Sequence, residues 1–137
     1  MLYYGEDLIM ELFTGGQYQG KTTYVRNLFP DIKYIDGRER SLIENEKLSF
    51  IWDDFEASIT ELVESGLDDA GIKERIISIL QKNQGIIIIS RETGNGVVPI
   101  DGEQRRCREL TGRILCEISG MADKVTRIVC GIPQKLK

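Results

Sequence analysis

Short apolar segments bounded by turn residues recur along the chain and predict β-strands. The predicted strands cover residues 8–13, 33–35, 48–52, 86–90 and 126–131. Between them, apolar residues at helical spacing predict helices from Lys21 to Leu28, Asp54 to Glu64, Ala70 to Lys82 and Gly102 to Gly120. Strands that alternate with helices in this way indicate an α/β fold.

The run of isoleucines from Ile86 to Ile89 is the most informative of the predicted strands. A strand that is apolar at every position must be covered on both faces, which is the situation in a parallel sheet between two layers of helices. The sequence therefore predicts an open, mostly parallel sheet flanked by helices, with ligands bound at the carboxyl ends of the strands.

Composition narrows the class of protein. The chain has 137 residues, of which 41% are hydrophobic, so we expect a single domain over residues 1–137. No apolar segment approaches the roughly 20 residues that span a bilayer, and the first residues lack the basic region of a signal peptide, so we expect a cytoplasmic protein. A net charge of -4 argues against binding to nucleic acid or its phosphates.

The three cysteines and one basic stretch suggest no further chemistry. Cys107, Cys116 and Cys130 lack CxxC spacing, so we expect reduced thiols packed near the core instead of a disulfide framework or a zinc site. The stretch from Glu103 to Arg108 is locally basic, but its interleaved acids favour a solvated helix face over an anion site.

Residues 15 to 22, GGQYQGKT, match the phosphate-loop pattern G-x-x-x-x-G-K-[ST] at every specified position. The motif follows a predicted strand and opens a predicted helix, so backbone N–H groups and the positive helix end can surround a phosphate. We expect Lys21 to reach the β- and γ-phosphates and the Thr22 hydroxyl to ligate Mg²⁺. The predicted nucleotide-binding residues are Gly15, Gly16, Gln17, Tyr18, Gln19, Gly20, Lys21, Thr22 and Thr23.

A carboxylate at the end of a neighbouring strand completes such a magnesium site. Asp53 follows the apolar segment that ends at Trp52, and we predict that it is the magnesium partner. Asp54 is the competing candidate, and either aspartate can instead cap the helix that follows. We assign the capping role to Asp54, and the two roles do not exclude each other.

The segment SRETGNGVVP, residues 90–99, leaves the isoleucine strand at the same predicted edge. Gly94, Gly96 and Pro99 indicate a shaped loop. Glu92 is placed to meet an incoming nucleophile or a magnesium-bound water. Composition alone equally allows Glu92 to be an exposed loop acid and Arg91 to be a surface charge.

The chain, most densely in its second half, resembles the bifunctional adenosylcobinamide kinase / adenosylcobinamide-phosphate guanylyltransferase family of cobalamin biosynthesis. The family pattern has a glycine-rich phosphate loop, then N-E-V-G-x-G-(I/V)-V-P, an arginine-rich helix, an A-D-x-V turn and a closing G-I-P strand. The resemblance covers residues 8–35 loosely and 85–137 densely. Its counterparts here are Glu92, Gly94, Gly96, Val98, Pro99, Arg106, Arg108, Glu109, Gly112, Arg113, Ala122, Asp123, Val125, Gly131, Ile132, Pro133 and Lys137.

The resemblance implies the P-loop NTPase (RecA-like) fold and a homo-oligomer. It also implies a kinase that uses ATP or GTP, with Mg²⁺, to phosphorylate the hydroxyl of adenosylcobinamide, followed by transfer of GMP onto that phosphate. Family members form the second linkage through a guanylylated histidine, whereas this sequence contains no histidine. No other residue replaces an imidazole as that nucleophile, so guanylyl transfer by that route is not expected.

Smaller departures from the family concern the kinase step. Gln17, Tyr18 and Gln19 stand where the family loop commonly has Ala-Arg-Ser, and Arg91 stands where it commonly has asparagine. Leu115 and Cys116 occupy positions near the family's Asn and Gln.

Three functional hypotheses follow. The first is a kinase that phosphorylates adenosylcobinamide, in which Lys21, Asp53 and Glu92 supply charge, metal organisation and orientation or deprotonation of the acceptor hydroxyl. The second is a nucleotide-binding regulatory or scaffold protein that has lost activity. The third is a kinase for an unrelated alcohol. The base preference, the acceptor and the oligomer size are not legible from the sequence.

Overall fold

The computed structural model describes residues 9–83, 85–92 and 101–137, and within them the chain forms an α/β fold. The strands and helices follow one another as β1 Glu11–Gly15, α1 Lys21–Leu28, β2 Lys33–Asp36, α2 Arg40–Asn45, β3 Phe50–Asp53, α3 Phe55–Glu64, α4 Asp69–Lys82, β4 Ile87–Arg91, α5 Gly102–Met121, β5 Lys124–Val129 and β6 Ile132–Lys135. The predicted α/β class is thereby confirmed.

The strands form one sheet with the order β2-β3-β4-β1-β5-β6. All neighbours are parallel except β5 and β6, which form an antiparallel hairpin. Strand β4 therefore lies between β1, which leads into the phosphate loop, and β3, which ends at Asp53. The carboxyl ends of these three strands meet at one edge of the sheet, where ligands bind in open α/β folds.

The isoleucine strand is covered on both faces, as its composition predicts. Ile86 and Ile88 belong to the hydrophobic cluster beneath α3, α4 and α5, whereas Ile87 and Ile89 belong to the cluster beneath α1. The alternation follows from the two-residue period of a strand. The core is thus split into two layers by the sheet.

Two helices begin with aspartate caps that fix their first turns. The carboxylate of Asp68 accepts a hydrogen bond from the N–H of Gly71 at 2.8 Å. The carboxylate of Asp101 accepts one from the N–H of Glu103 at 2.7 Å. Both bonds satisfy amides that have no partner within the helix.

Two elements are absent from the sequence prediction. Helix α2 has six residues, of which Ile43 alone is buried, so its apolar pattern is too short to recognise. Strand β6 is exposed along its whole length and contains Pro133, so it carries no alternation. Residues 130–131, predicted as the end of a strand, instead form the turn between β5 and β6.

The cysteines match their prediction only in part. All three are free thiols, but Cys107 is buried whereas Cys116 and Cys130 are exposed. Cys116 lies on the outer side of α5, and Cys130 lies in the hairpin turn. Within the described residues no helix has both the length and the apolar composition needed to span a membrane.

Candidate functional site

The segment between β1 and α1 has the features of a phosphate-binding loop. Gly20 adopts a φ of 84° at the start of α1, and the Lys21 ammonium donates to the carbonyl of Gly16 at 2.7 Å. No side chain of the described residues caps α1, so the amides of its first turn remain available to an anion. The predicted nucleotide-binding residues therefore surround one open helix end.

Gly15 is required where β1 enters this loop. A Cβ atom at Gly15 would lie 2.5 Å from the carbonyl oxygen of Ile128 on the neighbouring strand β5. This contact is with backbone, which cannot swing aside, so the first glycine of the motif is fixed by packing as well as by the phosphate chemistry.

Lys21 lies among four charged side chains. Burial lowers the pKa of its ammonium group, and the positive charge of Arg91 acts in the same direction. The carboxylates of Glu56, Asp53 and Glu92 oppose this effect, with Glu56 the strongest of the three. The loop lysine therefore lies within electrostatic reach of acids at the end of β3, in the first turn of α3 and directly after β4.

Asp53 joins the phosphate loop to the end of β3. Its side-chain oxygen Oδ2 accepts from the Thr22 hydroxyl at 2.8 Å and from the Tyr34 hydroxyl at 2.6 Å. Its other oxygen, Oδ1, accepts from the backbone N–H of Asp54 at 2.7 Å. Only 8% of Asp53 is exposed, so the carboxylate is held by three donors in a sheltered position.

Tyr34 is a site residue that the sequence analysis did not select. It lies on the edge strand β2, one strand beyond Asp53, and the guanidinium of Arg26 lies 4.4 Å from the centre of its ring. Burial and the hydrogen bond to Asp53 raise the pKa of Tyr34 well above its usual range. The hydroxyl therefore remains a proton donor to Asp53.

The prediction that Asp54 caps α3 is only half right. Asp54 occupies the cap position, with a left-handed φ of 51°, but its side chain makes no capping hydrogen bond. It pairs instead with Arg38 at 2.9 Å. Burial, a hydrogen bond with Glu56 and the charge of that residue raise the pKa of Asp54 to about 7. A capping residue usually has an extended backbone, so the left-handed backbone at Asp54 is the physical reason for the difference.

Glu56 is a second site residue that the sequence analysis did not select. Its carboxylate accepts from the Ser90 hydroxyl at 3.0 Å, the backbone N–H of Arg91 at 3.3 Å and the Arg91 Nε at 3.0 Å. Burial alone would raise its pKa, but hydrogen bonds from Asp54, Ser90 and the backbone hold the pKa below the usual value. Glu56 thus ties the start of α3 to the end of β4.

Glu92 lies where the sequence predicts, directly after β4. Its backbone N–H donates to the carbonyl of Gly15 at 3.0 Å, and its carboxylate accepts from the Arg127 side chain on β5 at 2.5 and 3.3 Å. Since β4 and β5 flank β1, this ion pair crosses the strand that leads into the phosphate loop. Gly94, Gly96, Val98 and Pro99, which the sequence assigns to a ligand-binding loop, lie outside the described residues.

Two motif arginines of α5 contact another helix. Arg106 Nε and Arg113 Nη2 lie 2.9 and 3.2 Å from the two carboxylate oxygens of Asp69 at the start of α4. Arg106 also donates to the carbonyl of Leu67 at 2.9 Å. Arg106 of the basic stretch therefore links α5 to the start of α4. The prediction of a solvated helix face did not include this role.

The turn between β5 and β6 forms hydrogen bonds with the phosphate loop. Cys130 and Gly131 have φ of 51° and 75°, as a two-residue hairpin turn of positive φ requires. The N–H of Gly131 donates to the Gln19 carbonyl at 2.8 Å, and the N–H of Cys130 donates to the Gln19 side chain at 2.7 Å. Gln19 therefore ties the phosphate loop to the hairpin turn.

The donor atoms at this edge suit Mg²⁺, which prefers oxygen ligands. Thr22 and Asp53 provide a hydroxyl and a carboxylate whose oxygens lie 2.8 Å apart. No group of three or more acidic, cysteine or histidine side chains that could hold a metal is found in the described residues. An ion here would therefore take most of its remaining ligands from nucleotide phosphates and water.

Comparison of the sequence with models of known protein families gives a match to one family. The family model described as cobinamide kinase / cobinamide phosphate guanyltransferase matches residues 40–136, well over half of the chain. The matched segment begins after the phosphate loop and includes Asp53, Glu56, Glu92 and the β5–β6 turn. None of the curated proteins searched matches the chain.

Proposed function

Because the chain belongs to the cobinamide kinase / cobinamide phosphate guanyltransferase family, we propose that it catalyses the kinase step of that pair. The family is one of nucleotide-using transferases in cobalamin biosynthesis. The proposed reaction transfers the γ-phosphoryl group of ATP or GTP to the hydroxyl of adenosylcobinamide. The observation that carries the proposal is the 2.8 Å bond between Thr22 and Asp53, which joins the phosphate loop to an acid at a strand end.

In this proposal the loop binds the nucleotide and Lys21 neutralises charge on the transferred group. The backbone N–H groups from Gly15 to Thr23 surround the phosphates, with the open end of α1 facing the anion. The Lys21 ammonium bonds the carbonyl of Gly16, a partner that a phosphate oxygen can replace. Positioning and charge neutralisation are the main demands of phosphoryl transfer.

Thr22 and Asp53 would hold Mg²⁺, which when bound neutralises charge on the phosphate oxygens. Asp53 fixes the direction of the Thr22 hydroxyl, and the Tyr34 hydroxyl donates to the same Asp53 oxygen and helps to fix the carboxylate. Outer partners of this kind orient ligands and affect metal affinity.

Glu92 is the proposed acceptor of the proton. The acceptor hydroxyl oxygen forms a bond to the γ-phosphorus, the bond from that phosphorus to the β–γ bridging oxygen breaks, and the hydroxyl proton moves to the Glu92 carboxylate. The nucleoside diphosphate leaves with the bridging oxygen. Arg127 holds the Glu92 carboxylate at the end of β1 and so fixes its orientation.

Guanylyl transfer through a histidine is not part of the proposal, since the 137 residues contain none. Incubation with GTP labelled in the α-phosphate, followed by acid and base treatment, tests for a phosphoramidate intermediate. We expect no acid-labile labelled protein.

The kinase proposal is tested by measuring nucleotide turnover with and without adenosylcobinamide, alongside calorimetric titration of nucleotide. Lys21→Ala should lower acceptor-dependent turnover by roughly 10²- to 10³-fold. Lys47→Ala is a matched control, because Lys47 is exposed and precedes β3 at the opposite edge of the sheet. Full turnover by Lys21→Ala would eliminate the mechanism.

Other outcomes select the remaining hypotheses. Tight nucleotide binding without acceptor-dependent turnover would select a regulatory or scaffold protein. Turnover stimulated by other alcohols, but not by adenosylcobinamide, would select a kinase with a different acceptor.

A further inference from the structure

Arg91 lies at the end of the central strand of the site. Its Cα is paired with that of Gly15, the first glycine of the phosphate loop, in the parallel register of β4 and β1. The strand on the other side of β4 is β3, which ends at Asp53. Arg91 is thus placed between the loop and the strand-end acid, at the edge of the sheet where a ligand would lie.

The guanidinium of Arg91 is only partly engaged. Its Nε donates to Glu56 at 3.0 Å, and the side chain is 48% exposed. Among the residues that the structure describes, its two terminal nitrogens make no hydrogen bond. These are the two atoms that bind a phosphate in the fork geometry of arginine.

The phosphate loop itself supplies a single positive side chain. Between Gly15 and Thr22, Lys21 is the single positively charged residue, because Gln17, Tyr18 and Gln19 are neutral. A nucleoside triphosphate with one Mg²⁺ keeps a net negative charge, and charge on the γ-phosphate oxygens is what arginine stabilises in phosphoryl transfer. The charge of Arg91 also contributes, after the larger effect of burial, to the lowered pKa of Lys21, so the two cations lie within reach of one another.

We propose that Arg91 binds the terminal phosphate of the nucleotide, as an arginine supplied by the same chain, and that Glu56 holds it in place before the nucleotide arrives. The inference rests on the proposed kinase function and adds a catalytic residue to it. Glu56 fixes the backbone and the Nε of Arg91 together, so that the terminal nitrogens can turn towards the ligand without moving the strand.

The test compares a triphosphate with a diphosphate by calorimetry, using a non-hydrolysable ATP analogue and ADP with Mg²⁺. Arg91→Ala should weaken binding of the triphosphate analogue by about tenfold, the value of a hydrogen bond to a charged group, and change ADP binding less than about twofold. It should lower kcat by roughly 10³-fold. Arg91→Lys should recover part of the affinity but little of the rate, because lysine keeps the charge and loses the fork.

Arg75→Ala is the matched control. Arg75 also bonds a glutamate, Glu44, at 2.8 Å and is 43% exposed, but it lies on α4 outside the candidate site. Its removal should leave both affinities unchanged. Thermal unfolding of each variant verifies that the chain is folded.

Glu56→Gln separates a catalytic Arg91 from a structural one. If Arg91 binds phosphate and Glu56 only positions it, Glu56→Gln keeps a side-chain acceptor for the Arg91 Nε and should weaken triphosphate binding clearly less than Arg91→Ala does. If Arg91 serves only to pair with Glu56, both variants weaken binding alike.

Each outcome is decisive. Equal loss of triphosphate and diphosphate binding in Arg91→Ala, or parallel losses in Arg91→Ala and Glu56→Gln, would overturn the inference while the kinase function stands. Failure of the unaltered protein to bind either nucleotide would overturn the kinase function and the inference together.

Discussion

Replacing Tyr34 with phenylalanine removes a single oxygen atom from the candidate magnesium site. The lost hydroxyl donates to Asp53 Oδ2 at 2.6 Å, beside the Thr22 hydroxyl that bonds the same oxygen at 2.8 Å. The ring and its contact with Arg26, 4.4 Å from the ring centre, are retained. The change therefore isolates the hydrogen bond from the packing of the side chain.

The size of the effect follows from the burial of the bond. A hydrogen bond to a charged group contributes about 1.5–3 kcal/mol, and the carboxylate of Asp53 keeps two other donors, from Thr22 and from the Asp54 amide. We expect the free energy of unfolding to fall by about 1–2 kcal/mol. Loss of a partner that orients a metal ligand typically costs 10- to 100-fold in metal affinity, so we expect the Mg²⁺ requirement for nucleotide binding to rise about tenfold.

The assay is a titration of Mg²⁺ at fixed nucleotide, followed by calorimetry or by turnover, with urea unfolding of the same variants. Tyr24→Phe is the matched control, because within the described part of the chain its hydroxyl makes no hydrogen bond and its ring packs near Phe13. If Tyr34→Phe behaved as Tyr24→Phe does in both measurements, Asp53 would not depend on Tyr34, and the reasoning would be refuted.

Two further predictions concern stability. Gly37→Ala should cost about 1–3 kcal/mol, since its Cβ would lie 2.1 Å from the Asp54 carbonyl oxygen, whereas Gly120→Ala, with nothing within 4 Å, should be neutral or stabilising in urea unfolding. Asp69→Asn should destabilise the protein at pH 7 by at most about 1 kcal/mol. Hydrogen bonding and the charge of Arg106 lower the Asp69 pKa from 3.8, so the difference from the unaltered protein should vanish as pH falls below that value, and a constant difference would contradict this account.

The order of most strands and helices could be predicted, because elements with buried faces carry a clear apolar pattern. Ile86 to Ile89 required two covered faces, and the structure covers both. The exposed strand β6 could not be predicted, since neither of its faces is buried and its pattern therefore carries no periodicity.

Residues of the candidate site could be predicted from the sequence only where they belong to a sequence motif. The phosphate loop and Asp53 belong to such motifs, and Thr22 and Asp53 are in contact. Tyr34 and Glu56 carry no motif, because their positions depend on which strands are neighbours and on the left-handed turn at Asp54. Strand order is a tertiary property that a periodic pattern does not specify. The order β3-β4-β1 brings Glu56 to the end of β4, and through it to Arg91.

The phosphate loop lies outside the segment that matches the family model, and yet the matched segment supplies its supports. Thr22 bonds Asp53, Gln19 bonds Cys130 and Gly131, and the carbonyl of Gly15 accepts from Glu92. Each partner lies between residues 40 and 136. A loop of this kind is held in shape by contacts distant in sequence, since its glycines alone permit many conformations. The segment that matches the family model therefore also holds the conformation of the phosphate loop, and the loop and the matched segment together form one candidate site.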